Sequence, residues 1–262
     1  MTHLCATCGA QFPRSEAPPD RCPVCLDERQ YVGHGGQRWI TAEALAGEHR
    51  VRVAEQEPGL LGLAVEPKFA IGQRALVTSG LMWDCLALAD GEAVARIARD
   101  GGVHTIAISH PHYYTGMVDW ADRLDARILL HEADREWIMR PSERIELWSG
   151  DRMPIGEGLE LIRLGGHFEG GTICHWPAGQ DGRGALLTGD IVQVVADHDW
   201  VSFMRSYPNY IPLPAREVAR MRAVLADLEF ERLYGAFWDS IVDADARAKT
   251  LRSADRYIAA VS

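Results

Sequence analysis

Four cysteines near the N-terminus constrain this chain more than any other feature of its sequence. They form two Cys-x2-Cys pairs separated by thirteen residues, and they are four of the six cysteines in the chain: Cys5, Cys8, Cys22 and Cys25. Two such pairs can place four thiolates tetrahedrally around one ion, and thiolates select Zn²⁺ or iron. A segment of about 30 residues is too short to bury a stable core. We therefore expect a bound metal, a structural zinc in the first instance, to hold this segment folded.

The alternative to a metal site is a pair of disulfides in a secreted domain. The N-terminal sequence MTHLCATCGA lacks a basic start followed by an apolar run, so it does not predict a secretory signal, and we expect a cytoplasmic protein. Disulfides do not persist in a reducing cytosol, which favours the metal. The segment resembles a zinc ribbon or a shortened rubredoxin, and the sequence leaves zinc and iron both open.

The glycine-rich stretch YVGHGGQRW follows the second cysteine pair and predicts a linker. We place the domain boundary there, with a four-cysteine ribbon over residues 1–32 and a main domain over residues 33–262.

The other two cysteines, Cys85 and Cys174, have mostly apolar neighbours in the sequence. We expect both to be buried small hydrophobic residues.

The main domain alternates short β-branched runs with helical patterns, which is typical of an α/β chain. In the first half the pattern predicts helices over 92–100 and 117–124 and strands over 75–79, 105–109 and 127–130. In the second half it predicts helices over 215–228 and 244–260 and strands over 159–164, 172–176, 185–188 and 232–237. Two sheets with helices outside accommodate this number of elements.

Composition and charge narrow the classes of partner. Apolar residues make up 47% of the chain, yet no apolar run reaches the roughly 20 residues that a membrane helix needs. The net charge of −10 weighs against nucleic acid and anionic membranes. We expect a small-molecule substrate and neither a nucleic-acid nor a membrane partner. The oligomeric state is open, as is a protein partner docked by the ribbon.

Candidate metal ligands occur where predicted strands end. The strand over 105–109 runs into HPHYYTG, which places His110 and His112 two residues apart. Residues two apart in an extended chain project to the same side, so both imidazoles can face one ion. His167 lies in a glycine-rich turn, and Asp190 follows the strand over 185–188. Imidazole and carboxylate ligands suit Zn²⁺, Fe²⁺ or Mn²⁺.

In order and spacing, these residues resemble the motifs of the metallo-β-lactamase superfamily over roughly residues 50–245. His110 and His112 match the first two histidines of the family's HxHxDH motif. His167 matches the histidine of its GHTxGS-like turn, and Asp190 matches the acid of its TGD motif. The resemblance implies an αββα sandwich, with metal ligands on loops at one edge and a bias towards hydrolysis.

Two departures from the family pattern imply a single metal in the main domain. Tyr114 and Thr115 occupy the Asp and His positions of HxHxDH. The segment GAFWD at 235–239 holds no histidine where the family usually has its last one. The candidate ligands that remain are three histidines and one carboxylate. Asp190 either binds the metal itself or supports a residue that binds it.

The sequence therefore favours a metal-dependent hydrolase of a small-molecule ester, thioester, lactone or amide. Three histidines leave one coordination position open, where Zn²⁺ would lower the pKa of a water to about 7. We expect Asp190 to act as the base and Tyr113 or Tyr114 to stabilise a developing oxyanion. Aromatic residues after Asp190, such as Phe203, could wall a pocket, although core packing is commoner. Two alternatives stay open: a non-haem iron oxidoreductase with a rubredoxin-like module, and a catalytically degenerate binding protein.

Overall fold

The computed structural model describes residues 1–262, and their contacts divide the chain into two compact units. The N-terminal unit contains residues 1–130 and 135–147, and the C-terminal unit contains residues 131–134 and 148–262. None of the helices combines the length and the apolar character that a membrane crossing requires.

The four-cysteine module, residues 1–32, folds as loops with one short strand and one short helix. Helix Pro23–Leu26 begins inside the second cysteine pair, with proline at its first position, where the missing N–H costs nothing. Strand His3–Cys5 pairs antiparallel with Trp39–Thr41, so the glycine-rich stretch returns the chain to the module. Helix Ala42–Glu48 follows and is capped by Thr41, whose hydroxyl accepts from the Ala44 amide at 3.1 Å. The domain boundary at residue 32 stays a prediction.

A seven-stranded sheet forms the centre of the N-terminal unit. Its strands lie in chain order: Arg50–Glu57, Leu60–Glu66, Ala75–Thr78, Leu81–Trp83, Thr105–Ala107, Arg127–His131 and Ile145–Trp148. The first two strands, which were not predicted from the sequence, form a hairpin around Pro58-Gly59. Gly59 has φ +80, a conformation that glycine adopts without steric cost in such a turn.

Two parallel crossovers in this unit decide where its loops emerge. Strand Leu81–Trp83 leads through helix Gly91–Arg99 to Thr105–Ala107, which leads through helix Met117–Leu124 to Arg127–His131. Both helices were predicted, each to within one residue at either end. Because these strands are parallel, the loops that follow them leave the sheet at the same edge.

The C-terminal unit is built on a six-stranded sheet. Its strands, in spatial order, are Arg152–Gly156, Leu159–Arg163, Thr172–Trp176, Ala185–Gly189, Arg232–Gly235 and Ile241–Val242. Two small hairpins pair Gln193–Val194 with Val201–Ser202 and Met204–Ser206 with Ile211–Pro212. The other elements of the chain are the helices Ala215–Ala226 and Ala246–Val261, the helical turn Gly179–Gly182 and the 3₁₀ turns Pro111–Tyr113 and Glu132–Trp137.

The core of the C-terminal unit joins its long helices to the sheet. Val218 and Met221 of helix Ala215–Ala226 are fully buried in one cluster with Ile173, Leu186 and Leu233 of the strands. This packing fixes the strand ends from which the loops of the unit emerge.

Candidate metal centres

The four cysteine sulfurs of the module converge on one point. All four side chains are buried, and their sulfur atoms lie within 4.8 Å of one another. Cys5 Sγ is 3.5 Å from Cys25 Sγ, and Cys8 Sγ is 3.6 Å from Cys22 Sγ. A tetrahedral zinc with Zn–S bonds of about 2.3 Å needs sulfurs about 3.8 Å apart, whereas a disulfide bond measures about 2.05 Å. The spacing therefore fits a shared metal ion and not two disulfides.

Hydrogen bonds among the four thiols shift their pKa values in opposite directions. They lower the pKa of Cys5, chiefly through Cys22, and the pKa of Cys22, chiefly through Cys25. The pKa values of Cys8 and Cys25 are raised, because in the same bonds these thiols keep their protons. Gln37 Nε2 also donates to Cys5 Sγ at 3.1 Å. A divalent cation would complete the deprotonation, since thiolates are the form that binds metal.

The histidine loop, residues 109–116, does not continue the preceding strand as predicted. The strand ends at Ala107, His110 is extended with φ −170, and Pro111–Tyr113 forms a 3₁₀ turn. The explanation that both histidines project from one extended segment is therefore wrong, because His112 lies inside the turn. Proline at the first position has a φ suited to the turn and needs no donor there. The turn brings the two imidazole centroids to 5.1 Å.

Polar groups of the N-terminal unit hold the His110 imidazole in place. Its Nδ1 is hydrogen-bonded to Ser109 Oγ at 2.8 Å, and Ser109 N donates to Asp84 Oδ1 at 2.7 Å. A partner on Nδ1 makes Nε2 the nitrogen that can bind an ion. Tyr113 packs its ring 4.3 Å from that of His110, and both Tyr113 and Tyr114 are buried.

His167 lies in a tight turn of the C-terminal unit. The turn begins with Gly165 and Gly166, which have φ +66 and +81, and a Cβ on Gly166 would lie 2.9 Å from a methyl group of Leu213. Both observations require glycine at 166. His167 Nδ1 donates to the carbonyl of Met204 at 3.1 Å, which makes Nε2 its ligand nitrogen.

Asp190 directly follows strand Ala185–Gly189 of the same unit. Its backbone carbonyl accepts a hydrogen bond from the Tyr207 hydroxyl at 2.9 Å. Burial raises the pKa of Tyr207, so the hydroxyl stays a proton donor at all moderate pH values. Met204 and Tyr207 lie in the segment that contains hairpin Met204–Ser206 and Ile211–Pro212, so this segment supports both His167 and Asp190.

The four predicted main-domain ligands form two pairs, one in each unit. His110 and His112 lie side by side in the N-terminal unit, His167 and Asp190 belong to the C-terminal unit, and all four side chains are buried. Three imidazoles and one carboxylate form a donor set that suits Zn²⁺, Fe²⁺ or Mn²⁺. The residue types present therefore fit a divalent ion, and their joint coordination of one ion stays a prediction. The roles of Asp190 as base and of Tyr113 and Tyr114 as oxyanion donors stay predictions.

Several groups that support the candidate ligands have no signal in the sequence. The carbonyl of Met204 and the hydroxyl of Tyr207 contribute only because a hairpin returns them to the ligands, and no local pattern indicates that contact. Phe203, considered for a pocket wall, is 0% exposed and belongs to the core. Cys85 and Cys174 are buried as expected, and burial raises the pKa of both thiols.

The chain has a strong match among curated protein sequences. It is 44% identical over 266 residues to the uncharacterized protein YmaE of Bacillus subtilis (strain 168), and the match spans 99% of this chain and 97% of YmaE. No protein-family model matches the sequence. The match to YmaE is long and close enough to show common family membership.

Similar solved structures are metallo-β-lactamases. DIM-1 aligns with a TM-score of 0.60 at 14% identity over 80% of this chain and 99% of DIM-1. FIM-1 from Pseudomonas aeruginosa, in its mono-zinc form, aligns with a TM-score of 0.57 at 12% identity over 79% of this chain and 96% of FIM-1. Identities this low show the fold alone, and they confirm the predicted fold class. The chain thus belongs to the family of the uncharacterized Bacillus subtilis protein YmaE and has the metallo-β-lactamase fold.

Proposed function

We propose that this protein is a metal-dependent hydrolase of a small-molecule ester, thioester, lactone or amide. The observation that carries the proposal is the burial of three imidazoles and one carboxylate, with His110 and His112 in the N-terminal unit and His167 and Asp190 in the C-terminal unit. Imidazole and carboxylate groups are ligand types that suit Zn²⁺, and we propose that the two pairs share one ion. The metallo-β-lactamase fold supports hydrolysis as the reaction class.

Each residue of the site has a distinct task in this reaction. A divalent cation, zinc in our proposal, would supply a water with a pKa lowered to about 7. His110, His112 and His167 hold the cation, and hydrogen bonds to the Nδ1 atoms of His110 and His167 orient those two rings. The Asp190 carboxylate takes the proton of the attacking water.

Neighbouring groups complete the proposed site. Tyr113 or Tyr114 donates a hydrogen bond to the oxygen on which negative charge develops, as an oxyanion hole requires. The four-cysteine module holds a second, structural zinc. The six unpaired cysteines favour a reducing compartment, so we propose the cytoplasm as the site of action. The net charge of −10 favours a small or weakly charged substrate over a polyanion.

A panel of esters, thioesters, lactones and β-lactams, assayed on metal-replete protein, tests the proposal. We expect hydrolysis of at least one class, with a rate that rises with pH through an apparent pKa near 7. His112→Ala should reduce the rate to background. His198→Ala removes an exposed histidine and is the matched control, which should behave as wild type. Equal background rates for wild type and His112→Ala across the panel would contradict a hydrolase and favour a binding protein.

Colour and elemental analysis distinguish the remaining alternative, an iron oxidoreductase. Zinc sites are colourless, whereas iron held by four thiolates is red. We expect colourless protein with zinc in both sites. Red protein with iron in the four-cysteine module would instead support electron transfer.

A further inference from the structure

We propose that the four-cysteine module positions the histidine loop and that Thr115 is the positioning residue joining the two. The inference rests on the proposed function insofar as His110 and His112 bind a metal. It gives the module a role in the main-domain site, beyond the stability of its own 32 residues.

The direct link is a hydrogen bond between the module and the loop. Thr115 Oγ1 donates to the backbone carbonyl of Gly9 at 2.6 Å, and the bond is buried. Gly9 has φ +79, and a Cβ there would lie only 3.1 Å from Thr115 Oγ1. The close approach of the two segments therefore depends on glycine at position 9.

Gly9 lies in a turn whose shape depends on two metal ligands. The Gly9 amide donates to the Cys5 carbonyl at 2.8 Å, and the Cys5 amide donates to the Ala10 carbonyl at 2.9 Å. Cys5 and Cys8 lie in the same turn, so an ion bound to their sulfurs fixes its backbone. A fixed turn fixes the Gly9 carbonyl, which in turn holds Thr115, three residues after His112.

A second link holds the far end of the loop. Gln11 Nε2 donates to Asp119 Oδ2 at 2.6 Å, and Arg140 pairs with Asp119 Oδ1 at 2.7 Å while also donating to Gln11 Oε1. Asp119 lies in the first turn of helix Met117–Leu124, immediately after the histidine loop. The module therefore contacts both the loop and the helix that follows it.

Apolar packing joins the same surfaces. Ala10 and Val24 of the module line a small cavity together with Pro111 and Tyr114 of the loop. Thr115 occupies the position of the last histidine in the HxHxDH motif. In this chain the Thr115 hydroxyl is bonded to the module. Metal in the module therefore strengthens metal binding at His110 and His112, and by thermodynamic reciprocity metal at the histidines strengthens metal binding in the module.

Four variants test this inference, and one of them, Cys8→Ser, removes a module ligand. Thr115→Val keeps the shape of the side chain and removes the donor, and Thr115→Ser keeps a hydroxyl. Ser253→Ala is the control and removes a hydroxyl that donates to the Lys249 carbonyl at 2.7 Å and accepts from the Val201 amide at 3.1 Å. With zinc retained in the module, we would measure the affinity of the histidine site for Co²⁺ by competition with a chelator. The Co²⁺ absorption spectrum and hydrogen exchange of the amides over residues 112–116 would also be recorded.

We expect Thr115→Val to bind Co²⁺ about 3- to 10-fold more weakly, which corresponds to the loss of one hydrogen bond. Its Co²⁺ spectrum should change, and its amides over residues 112–116 should exchange faster. Thr115→Ser should largely restore all three properties, and Ser253→Ala should match wild type. Cys8→Ser, which removes a module ligand, should shift affinity and exchange in the same direction as Thr115→Val.

Unchanged Co²⁺ affinity and unchanged exchange in folded Thr115→Val would overturn the inference and leave the proposed function intact. If wild type takes up no Co²⁺ at the histidines, the proposed function fails instead. The exchange data then decide the inference alone: faster exchange over residues 112–116 in Thr115→Val supports it, and wild-type exchange refutes it.

Discussion

Removal of one hydroxyl, in Tyr207→Phe, tests how Asp190 is held. The Tyr207 hydroxyl donates to the Asp190 carbonyl at 2.9 Å and lies 3.3 Å from that of Ser202. Phenylalanine keeps the ring and its packing, but it leaves the Asp190 carbonyl without this donor. Because burial raises the pKa of Tyr207, the wild-type hydroxyl stays protonated, and we expect the effect to be the same from about pH 6 to 9.

The expected loss of stability follows from this single strong bond. A partly buried hydrogen bond contributes about 1 kcal/mol, and an acceptor left unsatisfied raises the cost to about 1–2 kcal/mol. For a chain of this size that corresponds to a melting temperature about 2–8 °C lower. Displacement of Asp190 should also weaken metal binding by about tenfold, as loss of a supporting group typically does.

Differential scanning calorimetry and metal competition measure both effects. Tyr31→Phe removes a hydroxyl from a tyrosine that is 50% exposed, and this control should melt within about 1 °C of wild type. If Tyr207→Phe melts with the control and keeps wild-type metal affinity, the reasoning that Tyr207 fixes Asp190 is refuted.

Three further predictions address backbone packing, pH and chemistry. Gly116→Ala should destabilise the protein by about 1–3 kcal/mol in denaturant unfolding, because a Cβ would lie 2.6 Å from the Leu86 carbonyl oxygen. Gly47→Ala is the control: it lies in a helix with open space around it, and the substitution should be neutral or stabilising. Burial lowers the pKa of His131 in the folded protein, so the unfolded protein binds more protons and stability is lost as pH falls below about 6.5. His131→Gln should therefore flatten the pH dependence of the melting temperature below about pH 6.5. An unchanged pH profile in this variant would contradict the role of His131. Asp190→Asn should slow turnover more than it weakens metal binding, and the reverse order would make Asp190 mainly a ligand.

The candidate metal ligands could be identified from the sequence because their patterns are local or match a recognisable order along the chain. The two Cys-x2-Cys pairs are recognisable because they lie within one stretch of twenty-one residues. The other candidate ligands lie at or just after the ends of predicted strands: His110, His112, His167 and Asp190. The apolar pattern predicted most of the strands that pack against helices, because strands buried on both faces contain runs of apolar residues. The hairpin Arg50–Glu57 and Leu60–Glu66 escaped, although its Pro-Gly turn was a usable signal.

The supports of the ligands could not be predicted, because they join residues far apart in sequence. The bond from Thr115 to Gly9 spans 106 positions, and that from His167 to Met204 spans 37. The predicted extended conformation of His112 was also wrong. Pro111 starts a 3₁₀ turn, and this turn, not an extended segment, brings the two imidazoles together. Long-range hydrogen bonds have no periodic signature, so only the folded chain reveals them.

Metal content per chain, determined by elemental analysis of wild type, Cys8→Ser and His112→Ala, tests most directly that the chain holds one ion in each of two sites. We expect two divalent ions per wild-type chain and one in each variant, with the remaining ion in the histidine site of Cys8→Ser and in the module of His112→Ala. Wild-type protein with a single ion that His112→Ala retains would contradict a metal at the histidine site, and with it the proposed hydrolase.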